Sequence, residues 1–331
     1  DKRDRSMVNQ HKTSNRWVVW RLLDGKPGHE HQSQGLVQAV QALTATQVVD
    51  ITVTGHGLAW LQWLAGTWSL GAGLPAPDLI IGAGHQTHWH MLAAQKAYGG
   101  KTICLMQPSL PVQMFDLCLI PEHDAYRGWG SYIETRGVLN HIRAGSYAER
   151  DARKGLILVG GPSRHFIWDE ASVLAQVVDV VRQQPEMDFV LTTSRRTPAS
   201  FVRALRALPL RQLKIVPIAD TDAHWVQREL SRASTAWVTE DSVSMVYEGL
   251  TAQVAVGLIN LAPQAQSRVL RGMSKLVDRN IVTRYDPYGL YRQHLHAVIG
   301  FNEAHRCAEL LLRHLAQADG ARQPRLVARL S

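Results

Sequence analysis

TEDSVSMVYE, residues 239–248, follows the apolar run Ala236-Trp237-Val238 and opens a segment, Ser242–Leu250, with helical spacing. The apolar run reads as the end of a buried strand, so this stretch is a strand feeding directly into a helix. Asp241 or Ser242 is the expected N-cap, accepting from a free N–H of the first turn. The same junction is suited to anions, because unpaired N–H groups and the helix dipole both point there. Capping alone is the plainer reading, and the neighbouring loops decide between the two.

Similar junctions recur along the chain. Trp17–Leu23 is an apolar run stopped by Asp24-Gly25-Lys26-Pro27-Gly28, followed by helical spacing over Ser33–Leu43. Val48–Val53, Pro77–Gly82, Thr102–Met106 and Leu117–Ile120 read as further strands. The pattern restarts after a polar connection at 140–154, with strands at Gly155–Val159, Asp188–Thr192, Leu213–Pro217, Thr235–Thr239 and Val254–Leu258. Helical spacing falls over Glu170–Gln183, Pro198–Ala207 and Glu303–Ala316. Buried runs alternating with helices predict α/β architecture in two doubly wound parallel-sheet domains. The expected division is a disordered tail at 1–15, domains at 16–145 and 150–300, a closing helix at 301–318 and a tail at 319–331. Ligands of such sheets bind at the carboxyl ends of the strands, which selects the loops that matter.

Five loops sit there. In DGKPGHEHQSQG, residues 24–35, Gly25 and Gly28 permit a tight turn, while His29, Glu30 and Gln32 can reach a ligand; Ser33 follows them. The glycine spacing is not that of a dinucleotide fingerprint. GAGHQTHWH, residues 82–90, offers His85, His88 and His90, but no cysteine or carboxylate beside them completes a metal site, and no metal is expected. In GGPSRHF, residues 160–166, Gly160, Gly161 and Ser163 resemble a phosphate nest without the Gly-Lys-Ser/Thr ending of a nucleotide hydrolase. TTSRRTP, residues 192–198, adds Ser194, Arg195 and Arg196, and arginine pairs bidentately with phosphate. The fifth loop is 239–248 itself, with Thr239, Glu240, Asp241, Ser242, Ser244 and Glu248. Glu248 falls about two turns into the helix, four residues after Ser244, where a carboxylate can accept from a ribose diol. Three adjacent loops of the second half thus fit one nucleoside diphosphate.

Composition limits the alternatives. The chain has 331 residues, is 45% hydrophobic and 19% charged, and has no run near the ~20 apolar residues of a membrane span. No signal peptide is recognised, and Met7 is a candidate natural start. Cys104, Cys118 and Cys307 are odd in number and far apart, which suits a reducing compartment. Of the net charge of +8, residues 1–16 carry +3 (five bases, two acids) and residues 313–331 carry +3 (four bases, one acid). The body is therefore nearly neutral, which argues against nucleic acid and leaves an anionic membrane as a partner for the tails. GLAWLQWLAGTW, residues 57–68, supports either a membrane-interface helix or one packed on the first sheet through its tryptophans.

The motifs DGKPGHEHQSQGL, PEHDAY, TRGVLNH, GGPSRHF, TTSRRTP and TEDSVSMVYE, in this order over residues 17–300, carry a family resemblance. The chain resembles bacterial glycosyltransferases related to the plant mitochondrial-fission (elongated-mitochondria) proteins, a group that includes a lipooligosaccharide outer-core glycosyltransferase. The resemblance implies a GT-B-like fold, two Rossmann-type domains facing across a cleft, and a metal-independent transferase without a cofactor beyond its nucleotide-sugar donor. Glu240 and Glu248 resemble the E-x7-E pattern of nucleotide-sugar transferases. The implied acceptor is a glycolipid or oligosaccharide of the cell surface, and the implied location is cytoplasmic, peripheral at the inner membrane. His123 and Asp124 of PEHDAY, with His85, are expected on the acceptor side. Glu30 or His29 is the candidate base if the reaction inverts. A nucleotide-sugar epimerase and a non-catalytic adaptor are the alternatives.

Overall fold

The structure, a computed structural model, describes residues 16–319 apart from His56 and Ala265. The expected tail at 1–15, and residues 320–331 of the expected C-terminal tail, lie outside them. Two compact units make up the chain. One comprises the residues up to Pro121, Tyr126–Thr135 and those from Ala304 on; the other comprises Glu122–Ala125 and Arg136–Glu303.

In the first unit, β1 (Trp17–Leu23), β2 (Thr46–Thr52), β3 (Leu79–Ala83), β4 (Lys101–Leu105), β5 (Leu117–Pro121) and β6 (Tyr132–Thr135) form one parallel sheet. Its order is β2-β1-β3-β4-β5-β6. Helices α1 (Pro27–Leu43), α2 (Ala59–Ala65) and α3 (His85–Tyr98) make the first crossovers. β3 is buried at every residue, as a central parallel strand must be. Trp20, Leu22, Ile80, Cys104, Cys118 and Ile120 form one core face with Met91 and Leu92 of α3. α1 begins at Pro27, earlier than the apolar period at Ser33 suggests, because a proline suits the first turn of a helix.

The second unit contains β7 (Asp151–Leu158), β8 (Phe166–Ile167), α4 (Glu170–Arg182), β9 (Asp188–Thr192), α5 (Ala199–Arg206), β10 (Leu213–Val216), α6 (Trp225–Arg232), β11 (Ala233–Thr239), α7 (Val243–Thr251), β12 (Ala255–Ile259), β13 (Ala262–Pro263), α8 (Arg268–Asp278), β14 (Thr283–Arg284) and α9 (Tyr291–His294). Its six-stranded parallel sheet runs β10-β9-β7-β11-β12-β14, and β8 pairs antiparallel with β13. Renumbered within the unit that order is 3-2-1-4-5-6, the Rossmann order. Side chains alternate across β11: Ala236 and Val238 join the core with Val246 and Leu250 of α7, while Trp237 joins the opposite one with Val173 and Val177 of α4.

The expected connection at 140–154 belongs to the second unit. Asn140 donates to Thr251 Oγ1 at 3.0 Å, and Arg150 donates to the carbonyls of Ala252 and Gln253 at 2.8 and 2.6 Å. The closing helix, α10 (Glu303–Asp319), belongs from Ala304 on to the first unit, where Arg306 donates to Glu134 O at 2.8 Å. The three cysteines are buried and form no disulfide among the described residues.

Candidate functional site

In the second sheet the strand order reverses between β7 and β11, so their carboxyl ends mark the switch point where such sheets bind ligands. The loops there are locked to one another. Gly160 N donates to Thr239 Oγ1 at 2.8 Å and Gly161 N to Asp241 Oδ2 at 3.0 Å. Arg196 donates to that same Oδ2 at 2.7 Å, to Ser242 Oγ at 3.3 Å, and to the carbonyls of Gly161 and Pro162 at 2.8 and 3.0 Å. Ser194 Oγ donates to Gly160 O at 3.0 Å and accepts from Arg196 N at 3.1 Å. A Cβ on Gly161 would collide with the Arg196 main-chain carbonyl, so only glycine permits this approach.

Several expected ligand groups are thereby occupied. Asp241 does not cap α7; its fully buried side chain clamps Gly161 and Arg196, because those donors compete for it. Ser163 Oγ accepts from His165 N and Phe166 N, closing its own turn instead of a phosphate nest. Arg196 is a brace. Arg195 is exposed and, among the described residues, its guanidinium has no partner. For a nucleotide bound at this junction, Arg195→Ala is expected to weaken binding by about 1.5–3 kcal/mol at unchanged stability, whereas Arg196→Ala lowers stability by about 1–3 kcal/mol. Titration calorimetry and thermal melts on both variants check the split.

Ser242 takes the N-cap position of α7, but its side chain accepts no first-turn N–H. Among the described residues, nothing accepts from the N–H groups of Val243, Ser244 and Met245, and Ser244 is exposed beside them. The two glutamates differ. Glu240 is buried, accepts from Leu261 N at 2.9 Å and pairs with Arg284 at 2.5 Å. Burial raises its pKa, and those two donors pull it back. It braces the loop after β12. Glu248 is half-buried with no partner for its carboxyl among the described residues, and burial pushes that group up to about 7.

An unfolded Glu248 ionises near 4.5, so between that pH and about 7 the folded protein holds a proton that the unfolded chain has lost. The stabilisation is complete below about 4.5 and disappears as pH rises through about 7, a change of up to about 3 kcal/mol. Melts of Glu248→Gln from acid to neutral pH should lack this decline; equal slopes in variant and parent would contradict it.

In the first sheet the order reverses between β1 and β3. Asp24, immediately after β1, has a fully buried side chain and accepts from His29 Nδ1 at 2.7 Å. With a carboxylate as its acceptor, Nδ1 carries the shared proton, and Nε2 is the ring nitrogen left open. Nε2 has no partner among the described residues, and the ring is 23% exposed. Gly84, at φ +87°, makes room, since a Cβ there would strike the His29 ring. Glu30 accepts from Gly25 N at 3.1 Å, so it closes the loop. Gly28 lies inside α1 with open space around it, and the tight turn is made by Gly25 at φ +76°. Ser33 Oγ donates to Glu30 O and Gln32 donates to Met106 Sδ, so both are engaged in packing.

His90 is a core residue: Nδ1 accepts from Trp68 Nε1 at 3.1 Å and Nε2 lies 3.0 Å from Gly55 O. His88 bridges Ser109 and Cys104, and His85 is exposed at the start of α3. Among the described residues no group of three metal-binding side chains occurs. His123 and Asp124 belong to the second unit, not to the acceptor-side domain expected for them, and there Arg268 lies 3.8 Å from Asp124. Burial lowers the His123 pKa.

Asp24 was not singled out in the sequence, although it stands in the quoted motif directly after a strand, where a carboxylate can reach a histidine on the helix that follows. The sequence profile of the family described as mitochondrial fission ELM1 matches residues 27–315. The chain belongs to this family. A relative of the ELM1-family chain is the uncharacterized protein RP120 of Rickettsia prowazekii (strain Madrid E), 23% identical over 218 residues. That match takes in 52% of this chain and spans 61% of the relative's length. Among solved structures, the chain is similar to the UDP-GlcNAc 2-epimerase of Methanocaldococcus jannaschii, with TM-score 0.56, 7% identity and coverage of 90% of this chain and 99% of that one. It is also similar to the Neisseria meningitidis UDP-GlcNAc 2-epimerase bound to UDP-GlcNAc, with TM-score 0.52, 9% identity and coverage of 91% and 100%. At such identities the likeness establishes the fold, which is of the GT-B type.

Proposed function

We propose that this ELM1-family chain is a glycosyltransferase that moves a sugar from a nucleotide-sugar donor to a hydroxyl of a cell-surface glycolipid or oligosaccharide. The observation that carries the reading is the His29–Asp24 pair: a buried carboxylate fixes the ring and leaves Nε2 open to take a proton. That is the requirement of a general base for an acceptor hydroxyl. Family membership and the fold support nucleotide-sugar chemistry.

In this reading the second unit holds the donor. The free N–H groups at the start of α7 and the Arg195 guanidinium meet the diphosphate, and Glu248 accepts from the ribose diol. His29 Nε2 removes the acceptor proton as the hydroxyl oxygen bonds to the anomeric carbon. The bond from that carbon to the diphosphate breaks, and the nucleoside diphosphate leaves with the electron pair. Its growing charge is met by the same donors, which is where transition-state stabilisation arises. A single displacement of this kind inverts the anomeric centre. The scheme needs no cofactor besides the donor.

Product analysis tests it. Incubated with a nucleotide sugar, the protein should release nucleoside diphosphate only when a glycolipid acceptor is present. A C2-epimer formed from the nucleotide sugar alone would make it an epimerase. No turnover across nucleotide sugars, with intact folding, would make it an adaptor.

A further inference from the structure

We infer that α2 is a docking surface for an anionic phospholipid bilayer. Its inner side is anchored: Ala59 is buried, and the Trp63 ring lies 5.3 Å from that of Trp89 on α3. Trp68, just beyond, is in the core, which accounts for part of the tryptophan density of this segment. Among the described residues, the outer side is exposed. Leu58, Leu61 and Leu64 recur at intervals of three and Trp60 lies four before Leu64, so they share a helical face. These four are 71, 44, 55 and 43% exposed respectively, and Leu70 adds to them at 43%. From Ile51 to Pro77 the sequence contains no Asp, Glu, Lys or Arg. A face of exposed leucine and tryptophan of this size is unusual for a protein surface that meets only water.

Charge selects the occupant. Lys96 lies at the edge of the face, its ammonium 5.1 Å from the Trp63 ring centre and donating to Leu64 O at 3.2 Å. Both terminal segments join this same unit, at Arg16 before β1 and at Asp319 ending α10. Residues 1–16 carry five bases against two acids, and residues 320–331 carry Arg322, Arg325 and Arg329 with no acid. A second copy offers these bases no counter-charge, whereas an anionic bilayer satisfies both features. Leucine and tryptophan enter the boundary between headgroups and acyl chains, and the basic residues meet the headgroups.

The inference stands on this surface and not on the transferase reading, so either can fail alone. The test is co-sedimentation of the intact protein with phosphatidylcholine vesicles, with and without roughly one-third phosphatidylglycerol. Anionic vesicles should bind at least about tenfold more protein at low salt, and the gain should shrink at about 1 M salt, where the Debye length is near 3 Å. Leu61→Glu/Leu64→Glu should lose at least about tenfold of the binding at an unchanged melting temperature. Tyr288→Glu, an exposed apolar position of the second unit, should bind as the parent does. Absent vesicle binding, or binding that survives Leu61→Glu/Leu64→Glu, overturns the inference. So would a parental dimer that this double variant dissociates, since the face would then belong to a second copy.

Discussion

His29→Ala is expected to lower sugar transfer by about 10²–10⁴-fold, the usual contribution of a positioned base, while nucleotide affinity stays within about twofold. Asp24→Asn should lose nearly as much, because an amide no longer requires the proton on Nδ1 and the ring can adopt the wrong tautomer. Glu30→Gln is the informative control. Glu30 accepts from Gly25 N, and a glutamine oxygen can accept equally, so turnover should change by less than about tenfold. Initial rates with saturating nucleotide sugar separate these cases. A larger loss in Glu30→Gln than in His29→Ala would move the base to Glu30.

Gly161→Val is expected to abolish nucleotide binding at micromolar donor and to destabilise the second unit by about 2–5 kcal/mol. Two effects combine. Its Cβ collides with the Arg196 carbonyl, and the displaced loop loses the Gly161 N–H bond to a buried carboxylate. Thermal melts and titration calorimetry read both effects. Parental binding in Gly161→Val would show that this loop packing does not shape the donor site.

Both predictions depend on details that the sequence showed unevenly. The strand-to-helix junctions were legible because β1, β9 and β11 are dense apolar runs with abrupt polar ends. The first half of β7 carries no apolar period, since Asp151–Lys154 is exposed ahead of the apolar run. β14 is two residues long and carries no period to read. At the site, the motifs located the right loops but not the division of labour within them. Arg195 and Arg196 are adjacent and chemically equal in sequence, and only the position of Asp241 makes one a brace and leaves the other, among the described residues, without a partner. Glu240 and Glu248 likewise read as a pair, yet Arg284, a partner distant in sequence, claims the first. In the sequence His29 and Glu30 stand as alternative bases. The tight turn at Gly25 sends them to different partners, and burial of Asp24 is a property of the β1–β3 switch point that no local pattern displays.

The central claim is that the second unit binds a nucleoside diphosphate through the start of α7, Arg195 and Glu248. Its most direct test is calorimetric titration of the intact protein with UDP, GDP, ADP and CMP, repeated on Glu248→Ala. The account expects at least one nucleotide to bind, to raise stability by about 2.7 kcal/mol at a hundredfold excess over its Kd, and to bind at least about tenfold more weakly to Glu248→Ala. Absence of binding by all four at millimolar concentration, or equal affinity in Glu248→Ala, would contradict it.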